Sequence, residues 1–207
     1  NIAEARHPQG GRLSKKMAGR EVDFRVSTHP TQYGENIVVR ILDRLYSLKS
    51  LEELGFEEGH VASLKAALQS PEGMIILTGP TGSGKTTTLY SMLSYLRSSE
   101  RNIMTLEEPI EYSLSGIRQS EIQEPNLDFA QGVRSLLRQD PDVIFIGEIR
   151  DDQTAAMALR ASMTGHLVLT TLHTNDTLGA LQRLKDLGIS SSMLEGNILC
   201  IVAQRLV

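Results

Sequence analysis

The chain has one cysteine among its 207 residues, no tryptophan, and an aromatic share of 4%. A lone thiol excludes a disulfide within the chain and a cysteine-based zinc site within these residues. Cys200 sits in Ile198-Leu199-Cys200-Ile201-Val202, where a buried, inert thiol is expected. No apolar run reaches the roughly 18 residues that a membrane-spanning helix needs. No secretory leader opens the sequence; Asn1 to Ala5 is polar and helix-like. Position 1 is not methionine, so the chain reads as a piece of a longer protein. The net charge of −4 supplies no basic field for nucleic acid. With so few aromatics there is no stacking platform for single strands either. A composition of 40% hydrophobic and 22% charged residues suits a cytosolic protein of one ordinary domain plus a smaller piece.

What is present centres on Gly79-Pro80-Thr81-Gly82-Ser83-Gly84-Lys85-Thr86, followed by Thr87. The pattern is G-x-x-x-x-G-K-[ST], a phosphate-binding loop. Met74 to Thr78 before it is an apolar run of strand length, and Leu89, Met92, Leu93 and Leu96 after it recur at helical spacing. Strand, glycine loop and helix are the context this motif requires. Glycines let successive backbone N–H groups turn toward phosphate oxygens, and the helix N-terminus adds partial positive charge. Lys85 is expected to reach the β- and γ-phosphates of ATP, and the Thr86 hydroxyl to ligate Mg²⁺.

Upstream, residues 1–45 are expected to be the C-terminal part of a small α+β domain, 46–58 a linker, and 59–207 the nucleotide domain. Pro8 to Arg12 reads as turn chemistry. Val22-Phe24-Val26 and Ile37-Val39-Ile41 alternate at period 2 around a turn at 29–35. An antiparallel hairpin centred there pairs Phe24 with Ile41 and Val26 with Val39, burying one apolar face. The same register sets Arg25 opposite Arg40, a like-charge pair that an anion would relieve.

Downstream, helical and strand patterns alternate, which predicts a parallel sheet flanked by helices. Strand tips of such a sheet are where ligands bind. The run 102–106 ends in Glu107-Glu108-Pro109; either acid is a candidate to polarise an attacking water. Residues 112–127 read as irregular. Asp128 caps a helix that carries Arg134 and Arg138 on one flank. Val143 to Ile146 ends in Gly147-Glu148, where Glu148 is expected to orient water or the Mg²⁺ shell. Leu167 to Leu172 ends in His173, placed to read the γ-phosphate; His166 lies at the other end of that strand. A helix is expected from Ser192 to Val207, where the chain stops without a terminator.

Four segments together resemble the secretion ATPase family, the motors of type II secretion and type IV pilus assembly. They are Thr78–Tyr90, the acidic box Thr105–Tyr112, the Walker B stretch Arg138–Asp151 and the histidine box Thr164–Asn175. Asp23–Arg40 also resembles the family's upstream domain. The likeness implies a RecA-like P-loop core with a parallel-rich sheet, preceded by part of a small PAS-like α+β domain. It implies Mg-dependent ATP hydrolysis in a homohexamer, with rotation of the small domain driving pilin or pseudopilin assembly. Its partners would be an inner-membrane platform protein and a membrane-docking protein, and its place would be cytoplasmic, peripheral at the inner membrane. Arg25 and Arg40 would reach the γ-phosphate, Glu107 would activate water with Glu148 second, and Thr86 with Glu148 would hold Mg²⁺. Glu108 stands where the family usually has Asp, and Gln153 where an acid is common. A four-cysteine zinc loop typical of the assembly branch would follow residue 206. Two other readings share this core: a nucleotide-dependent binding module without hydrolysis, and a nucleic-acid translocase. Phosphate release from ATP separates the first, and stimulation by single-stranded DNA the second.

Overall fold

The computed structural model describes residues 4–17, 19–43, 49–123 and 126–206. The chain divides into two compact units, Asn1–Ser47 and Leu48–Val207. In the first, β1 (Gln9–Met17), β2 (Arg20–Thr31) and β3 (Gly34–Asp43) form an antiparallel sheet in the order β1-β2-β3. The turn closes at Gly34, whose φ of 124° suits a residue without Cβ. The expected register holds: Phe24 pairs with Ile41, Arg25 with Arg40 and Val26 with Val39. Two features differ from expectation. The stretch read as a turn at Pro8–Arg12 runs into β1, which places Arg12 opposite Arg25 and extends the arginine row to three strands. The apolar face stays open along β3, with Ile37, Val39 and Ile41 all more than half exposed, while on β2 Val22 is buried and Phe24 and Val26 are half-buried. Three strands alone have no second layer to cover that face.

The second unit is a six-stranded sheet, every pairing parallel, in the order β6-β5-β7-β8-β4-β9. Its strands are β4 (Gly73–Thr78), β5 (Ile103–Glu107), β6 (Arg118–Glu121), β7 (Val143–Ile146), β8 (Leu167–Leu172) and β9 (Ile198–Ala203). Helices α1 (Glu58–Leu68), α2 (Lys85–Leu96), α3 (Phe129–Leu136), α4 (Asp152–Ser162), α5 (Thr177–Asp186) and α6 (Ser191–Leu194) connect them. The central strands β4, β5, β7 and β8 are buried at every position, because both faces are covered. Ile75 and Leu77 pack with α1 and α2 residues such as Leu64, Leu89 and Leu93. Met74 and Ile76 share the opposite core with Val133 of α3, Ala158 of α4 and Leu184 of α5. Within the stretch expected as a linker, Leu51–Leu54 forms a single 3-10 turn. Its Leu51 is 2% exposed, a burial that contributes about 2 kcal/mol.

Two elements overturn the sequence reading. The expected helix 192–207 is a short α6, a turn at Gly196 in the left-handed region (φ 79°), then β9. Continuous apolar runs do not distinguish strand from buried helix by periodicity, and the open edge of β4 decides for strand. Residues 112–127 are not wholly irregular either, since β6 pairs with β5 across Arg118–Glu121. That edge strand is polar and leaves no hydrophobic pattern to read.

Candidate nucleotide site

Because all the pairings are parallel, the strand C-termini share one edge. β4 leads there into the glycine loop, β5 into Glu107-Glu108, β7 into Gly147-Glu148, β8 into His173 and β9 into Gln204-Arg205. Side chains of the strand ends hold these loops in register. Thr78 Oγ1 donates to the Thr174 carbonyl at 2.7 Å and accepts from the Thr174 amide at 3.0 Å. Thr171 Oγ1 donates to the Gly147 carbonyl at 2.6 Å, which fixes the backbone just before Glu148.

The loop 79–84 is shaped by glycines at positive φ: 145° at Gly79, 79° at Gly82 and 86° at Gly84. A Cβ on Gly79 would lie 2.4 Å from the Gln204 carbonyl and 2.7 Å from Ser83 Oγ. Gly84 is the N-cap of α2, so the helix begins at Lys85. Lys85 is 8% exposed, and its Nζ donates to the carbonyls of Gly79 and Pro80 at 2.8 and 3.0 Å. Burial lowers its pKa; Glu148 opposes that shift and Arg205 adds to it. Ser83 Oγ is buried with no hydrogen-bond partner. Thr81, Gly82, Thr86 and Thr87 are exposed along the mouth of the loop. A buried cation resting on neutral carbonyls beside an unpartnered hydroxyl matches what a phosphate group would satisfy.

At the neighbouring tips the acids are joined by a residue that sequence reasoning missed. Arg150 Nη1 reaches Glu108 Oε2 at 2.6 Å, and Nη2 reaches Glu148 Oε1 at 2.5 Å. The Glu148 hydrogen bond leads in raising the Arg150 pKa. His173 Nε2 lies 3.4 Å from Glu148 Oε2. Thus Glu148, His173 and Glu108 are gathered into one cluster.

Glu107 belongs to another environment. It is 3% exposed and accepts from the Tyr90 hydroxyl, from Thr105 Oγ1 at 2.6 Å and from Gln119 Nε2 at 3.0 Å. Tyr90 stacks on Tyr112 with ring centroids 4.3 Å apart. Helix α2 is therefore bonded to β5 through Tyr90 and, on its other flank, to the end of β9. There Thr88 Oγ1 donates to Gln204 Oε1 at 2.9 Å. Arg25 and Arg40 lie in the first unit, on adjacent strands and exposed to solvent. Among the described residues no three His, Cys, Asp or Glu side chains form a metal cluster. A Mg²⁺ ion here would draw most of its ligands from phosphate and water, as is usual for this ion.

The family model "Type II/IV secretion system protein" matches residues 1–207. Type II secretion system protein E of Dickeya dadantii is 54% identical over 209 residues, covering 100% of this chain and 42% of that protein. Type II secretion system ATPase E of Vibrio cholerae is 50% identical, covering 100% of the chain and 41% of its own length. The chain thus spans less than half of these relatives. Among solved structures, the pilus retraction motor PilT with bound ADP superposes with a TM-score of 0.78 at 33% identity. That match covers 91% of this chain and 54% of PilT. The Legionella pneumophila ATPase DotB follows at 0.72 and 29% identity, covering 91% and 53%.

Proposed function

Because this chain belongs to the type II/IV secretion system protein family, we propose that it carries the ATP-hydrolysing core of a motor for type II secretion pseudopilus or type IV pilus assembly. The observation that carries the reading is the glycine loop at the tip of β4, with buried Lys85 beneath it and Glu148 and His173 on the adjoining strand tips. In this reading the loop amides and Lys85 hold the β- and γ-phosphates. Glu148 orients the attacking water, and His173, whose Nε2 lies 3.4 Å from its carboxylate, follows the presence of the γ-phosphate. Sequence alone favoured Glu107 for the water. Its carboxylate is enclosed by three donors, so we assign it to fixing α2 against β5 instead. Thr86 and Glu148 would hold Mg²⁺, which supplies charge neutralisation on the phosphates. Arg25 and Arg40 would add positive charge at the transferring phosphoryl group.

In the whole motor we further propose a homohexamer in which nucleotide turnover rotates the small domain against the RecA-like unit. The motor would work at the cytoplasmic face of the inner membrane, against a platform protein and a docking partner. No helix among the described residues is long and apolar enough to cross a membrane.

Phosphate release from ATP is the test. Lys85→Ala is expected to fall below about 1% of the parent rate, as loss of one preorganised charge contact does elsewhere. Retained turnover in that variant would overturn the assignment. Absence of turnover in the parent chain would favour a binding module.

A further inference from the structure

The end of β9 brings a second cation to the phosphate loop. Gln204 is 9% exposed; its amide donates to the Thr78 carbonyl at 2.9 Å, and its side chain accepts from Thr88 of α2. The following residue, Arg205, is exposed. Its Nη1 donates to the Gln204 carbonyl at 2.9 Å and its Nη2 to the Asn175 carbonyl at 2.7 Å. Both bonds go to neutral carbonyls, so the guanidinium keeps its charge for an anion. Arg205 Nη1 lies 3.2 Å from the point where a Cβ on Gly79 would stand, and Ser83 Oγ lies 2.7 Å from that same point. Ser83 is the buried hydroxyl without a partner. A guanidinium, a buried lysine and an unpartnered hydroxyl therefore surround one stretch of backbone.

We propose that Arg205 binds the phosphates that ATP and ADP share, with Gln204 as its positioning residue. This rests on the P-loop reading above and adds a residue to it. The strand order sets which phosphates are meant. Glu148 and His173 end β7 and β8, on one side of β4, whereas β9 is the neighbour on the other side. A phosphate chain whose terminal group points toward Glu148 turns its inner phosphates toward β9. The charge of Arg205 is felt at Lys85, whose pKa it helps burial to lower, and an anion between the two cations removes that repulsion.

Binding of a fluorescent ADP and of a fluorescent non-hydrolysable ATP analogue to the intact chain tests this. Arg205→Gln removes the charge while leaving a polar side chain at the same position. It is expected to weaken both ligands about tenfold, the scale of one charge-assisted hydrogen bond. Arg205→Lys should restore most of the affinity. Unchanged affinity in the Gln variant overturns the proposal, as does weakening of the ATP analogue alone or equal weakening in the Lys variant. Lys85→Ala run alongside separates the readings. If it loses both ligands while Arg205→Gln keeps them, only the role of Arg205 falls; if it binds as the parent does, the P-loop reading falls. A measurement on the parent chain removes any dependence on variant folding. ADP should slow phenylglyoxal modification of Arg205 relative to exposed Arg160, and equal slowing or none overturns the proposal.

Discussion

Tyr90 is the residue that the acid at the end of β5 depends on. Its hydroxyl meets Glu107 in a buried pocket where Thr105 and Gln119 supply the other donors. Removing one partner leaves a carboxylate oxygen short of a donor, which costs about 2 kcal/mol. Tyr90→Phe should therefore lower the urea midpoint without changing the slope; an unaltered midpoint would show the bond to be worthless. None of this was readable from Glu107-Glu108-Pro109. Two adjacent acids at a strand tip look alike in sequence, and only the fold shows that one faces inward to Tyr90 and the other outward to Arg150. Arg150 was missed for a related reason: its two carboxylate partners come from different strands, 42 and 2 positions back in the chain.

At the scale of elements, helix α3 rests on β5 through a glycine. A Cβ on Gly132 would stand 2.7 Å from Leu106 Cδ1, and Leu106 is 1% exposed. Gly132→Ala should push the helix outward and cost about 1–3 kcal/mol by overpacking. Gly132 has no positive φ, so strain does not enter, and a stabilised variant in chemical denaturation would refute the contact. The central strands and most helices were legible because their pattern is a consequence of burial on two faces or one. Asp128, Asp151 and Asp176 each accept from a backbone amide in the first turn of α3, α4 and α5, and such caps can be read directly. Of the elements misread, β9 bears most on the site, because with it went Gln204 and Arg205. Had that apolar run been taken as a strand, its Gln-Arg ending would have stood beside the other strand-tip residues as a candidate.

For the molecule as a whole, alkaline pH offers a probe of the stacked pair formed by buried Tyr90 and half-buried Tyr112. Burial, helped by the charges of Glu107 and Glu111, holds the Tyr112 phenol at about 12 against an ordinary 10.0. Burial and Glu107 push Tyr90 in the same direction. A folded-state value above the unfolded one means the unfolded chain gives up its proton first. The stabilisation is then whole below about pH 10 and is lost as pH rises through about 12. The urea midpoint should fall across that window, and Tyr112→Phe should flatten the fall; a level parent curve would contradict the burial. The same network has a mechanical consequence. Thr88 and Tyr90 are two residues apart on α2, so their bonds leave the helix on nearly opposite sides. A rod tied on both flanks cannot roll about its long axis. A pull on the glycine loop at the head of α2 is therefore shared with β5 and β9 together, unless one of the two ties snaps first.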